Sequence, residues 1–222
     1  MLIVFDLDDT LIETSADFLP LKLRDVIRVL IKERVIADEE KSLNELLQIS
    51  HHSPNAYLAI KEFLKIKDAE NLLEAAVKEY YLPYKGKFKI SLCPGVLETL
   101  KLLQKDHCLA LVSFGQEKLQ YQKISSSGIK KDLFVKIIIT EKDNKKDIYQ
   151  QLAQELGYSA EQVIVVGDKV KTDLVPAQEL RMLTVQMQCG RGKQFPAKKG
   201  EVDYTISNLR ELLNIVEKLS AA

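Results

Sequence analysis

Short, mainly apolar runs punctuate the chain at 2–5, 107–112, 135–140, 163–166 and 182–186. They are too short for helices and most are rich in β-branched residues. They predict strands buried on both faces, as in a parallel sheet. Helical patterns follow most of them. Residues 95–105 start behind Pro94, which suits a helix N-terminus, and 147–156 end at Gly157, which suits a C-terminal cap. Helices over 173–180 and 208–219 complete the set, with Asn208 as a candidate N-cap. Strand–helix alternation of this kind predicts an α/β fold, with a Rossmann-like parallel sheet core and helices on both faces.

Residues 15–84 break that rhythm. They hold no strand pattern and read as four amphipathic helices over 18–34, 39–49, 55–66 and 68–82. The breaks fall at Ala37-Asp38, Ser53-Pro54 and Lys67, and Pro83 with Lys85-Gly86-Lys87 looks like a return linker. The expected organisation is an α/β core from 1–14 and 85–222 with an all-α domain, 15–84, inserted after the first strand.

Composition narrows the function classes. At 222 residues the chain is long enough for a buried core with one insertion. Lys plus Arg and Asp plus Glu balance at 32 each, so neither a nucleic acid nor an anionic membrane is an expected partner. No apolar run is long enough to span a bilayer. The N-terminal stretch lacks a basic leader and a small-residue cleavage site, so a signal peptide is not expected. Cys93, Cys108 and Cys189 are odd in number and widely spaced. They predict neither a disulfide framework nor a zinc site, and point to a reducing cytoplasm.

The chemistry-bearing residues gather at strand ends, where open parallel sheets bind ligands. The first run ends in Asp6-Leu7-Asp8-Asp9-Thr10, and alternation along a strand lets Asp6 and Asp8 face one crevice. Two carboxylates so close repel, which a bound cation or a shared proton relieves. The fourth run ends in Gly167-Asp168, with Asp173 five residues on. Together Asp6, Asp8, Asp168 and Asp173 offer the oxygen donors that Mg²⁺ favours. Taken singly, the first segment also reads as a strand followed by a polar turn, and Asp173 as a residue favoured by a helix dipole. Ser113 closes the second run, where a hydroxyl beside a helix start can hold a phosphate oxygen. Lys145 and Lys146 precede the fourth run, and either could neutralise a phosphate.

These segments together resemble the four-motif signature of the haloacid dehalogenase superfamily of phosphohydrolases. The first motif is Asp6-Leu7-Asp8-Asp9-Thr10, the second Ser113 after 109–112, the third a Lys before a helix, and the fourth Gly167-Asp168 with Asp173. Cys93-Pro94-Gly95-Val96 resembles the start of the helix that precedes the second motif. The resemblance is to phosphoglycolate-phosphatase-like members with a helical C1 cap, and residues 15–84 stand where that cap is inserted. It implies that Asp6 is the nucleophile, forming an aspartyl phosphate, and that Asp8 is the general acid/base. Ser113 and a Lys would bind the phosphate. Lys145 is preferred because it lies twelve residues before Gly157, with Lys146 as the alternative. Mg²⁺ would be held by the Asp6 side chain, the Asp8 backbone carbonyl and Asp168, with Asp173 a further or outer-sphere ligand. The implied substrate is a small phosphorylated metabolite, because a cap closing over the site admits small molecules.

Other features read as less informative. His51-His52 reads as a polar helix start, and 190–193 with Lys198 and Lys199 as a basic, flexible loop. A calcium loop counted from Asp6 would want Gly at position 11 and Glu at position 17, which hold Leu11 and Asp17. The competing functions are a phosphomutase of the same superfamily and a catalytically silent binding protein. A dehalogenase fits less well, because halide departure needs no group such as Asp8.

Overall fold

The computed structural model describes residues 1–141 and 144–220. Six parallel strands form one sheet: β1 (Leu2–Phe5), β2 (Cys108–Phe114), β3 (Lys136–Thr140), β4 (Val163–Gly167), β5 (Leu183–Met187) and β6 (Tyr204–Ile206). Their order across the sheet is β3-β2-β1-β4-β5-β6. The five expected runs all become strands. β1 and β4 are buried along their whole length, as their Leu/Ile/Val content demands of central parallel strands. β6 was not anticipated. It is a three-residue edge whose identity depends on pairing Val185 with Tyr204 and Met187 with Ile206.

The core helices are α5 (Val96–Leu103), α6 (Glu117–Ser127), α7 (Lys146–Leu156), the short α8 (Val175–Gln178) and α9 (Gly190–Gln194), and α10 (Glu211–Ser220). They cover both faces of the sheet. One face buries Leu2, Val4, Val112, Val163 and Val165 against Tyr149 and Leu152 of α7 and Ala177 of α8. Fully burying aliphatic and aromatic side chains contributes about 1.5–3 kcal/mol each. Gly157 ends α7 with φ 75°, a left-handed conformation that a side chain disfavours.

Residues 15–88 form a second compact unit, distinct from that of 1–14 and 89–222. It is all helix: α1 (Leu19–Lys32), α2 (Glu39–His52), α3 (Ala56–Ile66) and α4 (Leu73–Tyr81). Leu23, Val26, Ile27 and Leu30 of α1 pack with Leu43 and Leu46 of α2 and with Ile60, Phe63 and Leu64 of α3. Asp38 and Asn55 cap α2 and α3, accepting from the backbone N–H groups of Lys41 and Leu58. Phe88 packs on Phe18 and Tyr84. His51 and His52 lie in the last turn of α2 rather than at a helix start, where the negative end of the dipole favours them.

Two further expectations are corrected. Residues 190–194 form a short helix, α9, in which Arg191 is buried, instead of a solvated flexible loop. Cys93 and Cys189 are joined as a disulfide, although 96 residues separate them. Spacing along the chain could not disclose this pair, because the fold brings their Cα atoms to 6.3 Å, within bridging range. A bridged Cys93 and Cys189 remove the ground for expecting a reducing compartment. Among the described residues no helix is long and apolar enough to cross a membrane.

Candidate active site

β1 and β4 are hydrogen-bonded neighbours, with Phe5 opposite Val166. The chain runs outward from β1 to β2 and β3, then returns to β4 on the other side of β1. The crevice between the carboxyl ends of β1 and β4 is therefore the switch point at which open α/β sheets bind ligands. The Asp6 N–H donates to the Val166 carbonyl at 2.9 Å, which extends the ladder by one residue and seats Asp6 at the crevice. The chain then turns sharply, and Thr10, Leu11 and Ile12 all donate backbone N–H groups to the Leu7 carbonyl.

Asp6, Asp168 and Asp173 converge there. One carboxylate oxygen from each lies within 4.8 Å of the others, and all three residues are buried. Gly167 allows this approach, since a Cβ at that position would stand 2.6 Å from the Asp173 Cβ. Lys145 reaches the same point from the start of α7. Its Nζ donates to Asp6 Oδ1 at 2.6 Å, to Asp173 Oδ1 at 2.8 Å and to the Val112 carbonyl at 3.0 Å. Lys146, its neighbour, points elsewhere and pairs with Glu179 on the surface. Lys145 caps α7 and Lys146 is its first residue, both with helix-like backbone, so their side chains diverge by about 100° and only one enters the crevice.

The electrostatics follow from burial. Desolvation pushes the Asp6 carboxyl up to about 6, against the pull of Lys145. Lys145 is disfavoured by burial, yet Asp173 and Asp6 hold its ammonium well above the usual lysine range. Asp168 is raised far above the ordinary carboxylate range by burial, only partly opposed by Lys169. Both Asp168 oxygens are buried without a hydrogen-bond partner among the described residues. A buried carboxylate so placed costs stability unless a cation or proton accompanies it. An all-oxygen trio with one unpartnered member fits a hard divalent cation such as Mg²⁺.

Asp8 is outside that trio. Its carboxylate accepts from Thr14 Oγ1 at 2.5 Å, from Lys123 Nζ at 2.8 Å and from Gln120 Nε2 at 2.8 Å. Burial would raise its pKa, but Lys123, Thr14 and Gln120 together hold it at about 2. Ser113 is fully buried at the end of β2, and its Oγ accepts from Gln120 Nε2 at 2.6 Å. Asp9 has φ 56° and accepts from the Arg191 N–H at 3.2 Å, which ties the first turn to α9. Gly190 is required there, because a Cβ would lie 2.2 Å from the Asp9 carboxylate carbon.

Thr14, Gln120, Lys123 and Lys169 were not singled out from the sequence. A signal existed for two of them. Gln120 and Lys123 stand three apart on α6, immediately after Ser113, and so share one helix face. Lys169 is half-buried beside Asp168, whose charge outweighs the burial that would otherwise lower its pKa.

The family profile for haloacid dehalogenase-like hydrolases matches residues 1–180. The chain belongs to this family. Relatives span nearly its whole length. It is 28% identical over 233 residues to the glyceraldehyde 3-phosphate phosphatase of Methanocaldococcus jannaschii, covering 98% of this chain and 97% of that one. It is 29% identical over 234 residues to the enzyme of the same name from Methanopyrus kandleri, again covering 98% and 97%. In fold it is similar to a predicted phosphoglycolate phosphatase from Haemophilus somnus, with TM-score 0.69, 21% identity and 97% of each chain covered. A putative hydrolase of the family from Bacillus subtilis, solved with magnesium bound, matches at TM-score 0.68, 20% identity and 97% of each chain.

Proposed function

We propose that this chain is a Mg²⁺-dependent phosphatase that hydrolyses a small phosphomonoester through an aspartyl phosphate on Asp6. It is a hydrolase by family, and its full-length relatives are named as phosphatases. The observation that carries the reading is the buried trio of Asp6, Asp168 and Asp173, bridged by Lys145 at the sheet's switch point. The first substrate to test is glyceraldehyde 3-phosphate, the compound in those relatives' names.

In the first half-reaction the negative charge of the incoming phosphate raises the Asp8 pKa from its resting value, so that Asp8 enters protonated. An Asp6 oxygen attacks phosphorus, the bond from phosphorus to the ester oxygen breaks, and Asp8 gives that oxygen its proton. In the second, Asp8 takes a proton from water, whose oxygen attacks phosphorus and breaks the bond to Asp6, releasing inorganic phosphate. Lys145 orients Asp6 and offsets its charge against the incoming phosphate. Ser113 donates to a phosphate oxygen. Asp6, Asp168, the Asp8 carbonyl and Asp173 would hold Mg²⁺, which when bound supplies positive charge against the transferring phosphoryl group. The helical unit, spliced in after Thr14, is proposed as a cap that restricts access to small substrates.

The test is a panel of phosphorylated metabolites assayed with Mg²⁺, using the wild type and Asp6→Asn. Turnover of a small phosphomonoester should fall on the order of 10⁴-fold in the variant, which retains size but lacks the nucleophile. Residual turnover near wild type in a folded Asp6→Asn protein would refute the covalent route. Higher kcat/KM on folded phosphoproteins than on metabolites would refute the small-substrate assignment.

A further inference from the structure

α6 turns two long polar side chains inward, toward the Asp8 carboxylate. Gln120 is 1% exposed and Lys123 6% exposed. Burying an amide and an ammonium is unfavourable unless each is well partnered, and both partners lie in the candidate site. The Lys123 ammonium meets Asp8 Oδ1, and the Gln120 amide meets Oδ2. The two oxygens of one carboxylate are thus held from one helix face, with Thr14 as a third donor. Three donors aimed at two oxygens fix both the place and the plane of the group.

Gln120 also reaches Ser113. The same Nε2 lies 2.6 Å from Ser113 Oγ and 2.8 Å from Asp8 Oδ2. An ionised carboxylate only accepts, so the amide must present its NH₂ to Asp8. One N–H serves Asp8 and the other serves Ser113. The serine oxygen then acts as an acceptor, and its own proton is left to point at a phosphate oxygen.

We infer that Gln120 and Lys123 are positioning residues. Lys123 sets the direction of the Asp8 carboxylate, and Gln120 ties it to the Ser113 hydroxyl so that proton transfer and phosphate binding share one frame. This rests on the reading of Asp8 as the general acid/base. Displacement of such a group by a fraction of an ångström costs far more in kcat than in binding. It costs most for substrates with poor leaving groups, which need the proton most.

The experiment is a double-mutant cycle. Lys123→Met and Gln120→Met are made in the wild type and in Asp8→Asn, and each is assayed with an alkyl and a nitrophenyl phosphate. In the wild-type background Lys123→Met should lower kcat on the alkyl phosphate by ~10- to 100-fold, with a smaller loss on nitrophenyl phosphate and little change in KM. Lys123→Arg should recover part of the loss. Gln120→Met should raise KM as well, through Ser113. In Asp8→Asn neither change should reduce kcat further. Equal losses on both substrates, or the same loss in both backgrounds, would overturn the inference and leave the Asp8 role standing. If Asp8→Asn itself hydrolyses alkyl phosphate normally, the acid/base reading fails, and the inference with it. Should Lys123→Met not fold, Gln120→Met completes the same cycle.

Discussion

Lys145 donates to Asp6 at 2.6 Å from a fully buried position, while Lys146 is spent on a surface pair with Glu179. The two lysines should therefore differ sharply in their response to removal. Lys145→Ala leaves Asp6 and Asp173 buried without their cation. It should destabilise the fold by about 3–5 kcal/mol and lower kcat by roughly 10²- to 10³-fold. Lys146→Ala should change stability by less than about 0.5 kcal/mol and leave turnover near wild type. Urea titration and steady-state kinetics of both variants check this, and a larger kinetic loss for Lys146→Ala would move the phosphate-binding role to that residue.

The unpartnered oxygens of Asp168 make metal binding and stability two faces of one property. With chelator present, Asp168→Asn should melt at a higher temperature than the wild type, because it removes an uncompensated buried carboxylate. With Mg²⁺ the order should reverse, since ligand binding stabilises only the protein that retains the site. The Mg²⁺ concentration for half-maximal activity should rise by ~10-fold or more. Equal melting shifts of both proteins on adding Mg²⁺ would exclude Asp168 as a ligand.

The Asp8 carboxyl, held at about 2 by Lys123, Thr14 and Gln120, gives the fold a defined acid sensitivity. Its ordinary value is 3.8. The folded protein binds the Asp8 proton less readily than the unfolded chain, so ionised Asp8 favours folding. That contribution is complete above about pH 5, amounts to about 2 kcal/mol, and is lost as pH falls through 3.8 toward 2. In chelator, the stability gap between wild type and Asp8→Asn should narrow across this window. A gap that stays constant from pH 6 to pH 2.5 would show that the pairing does not set the Asp8 proton.

The Cys93–Cys189 bridge should be measurable in the melting temperature. Closing a loop of 96 residues limits the unfolded chain, which stabilises the fold by roughly 2–4 kcal/mol. Reductant should lower the melting temperature of the wild type and leave that of Cys93→Ala/Cys189→Ala unchanged. Alkylation under unfolding, non-reducing conditions should modify Cys108 alone, and modification of all three cysteines would show that the bridge does not form.

Much of the architecture is local and was legible along the chain. Runs such as Leu2–Phe5 and Val163–Gly167 declare buried parallel strands, because a short all-apolar, β-branched stretch has few other stable uses. The 3.6-residue periodicity of residues 19–32 and 56–66 likewise declares helices with one buried face. The acidic residues at the ends of the first and fourth runs mark a crevice in the sequence alone. The tertiary structure decided whatever depends on meetings between distant segments. The order β2-β1-β4 sets Asp6 beside Asp168, and the screw of α7 separates Lys145 from Lys146. Packing of α6 carries Lys123 to a residue 115 positions earlier, and the convergence of two loops joins Cys93 to Cys189. Periodicity reports which face of an element is buried; it carries no information about which side chain from another element will meet that face.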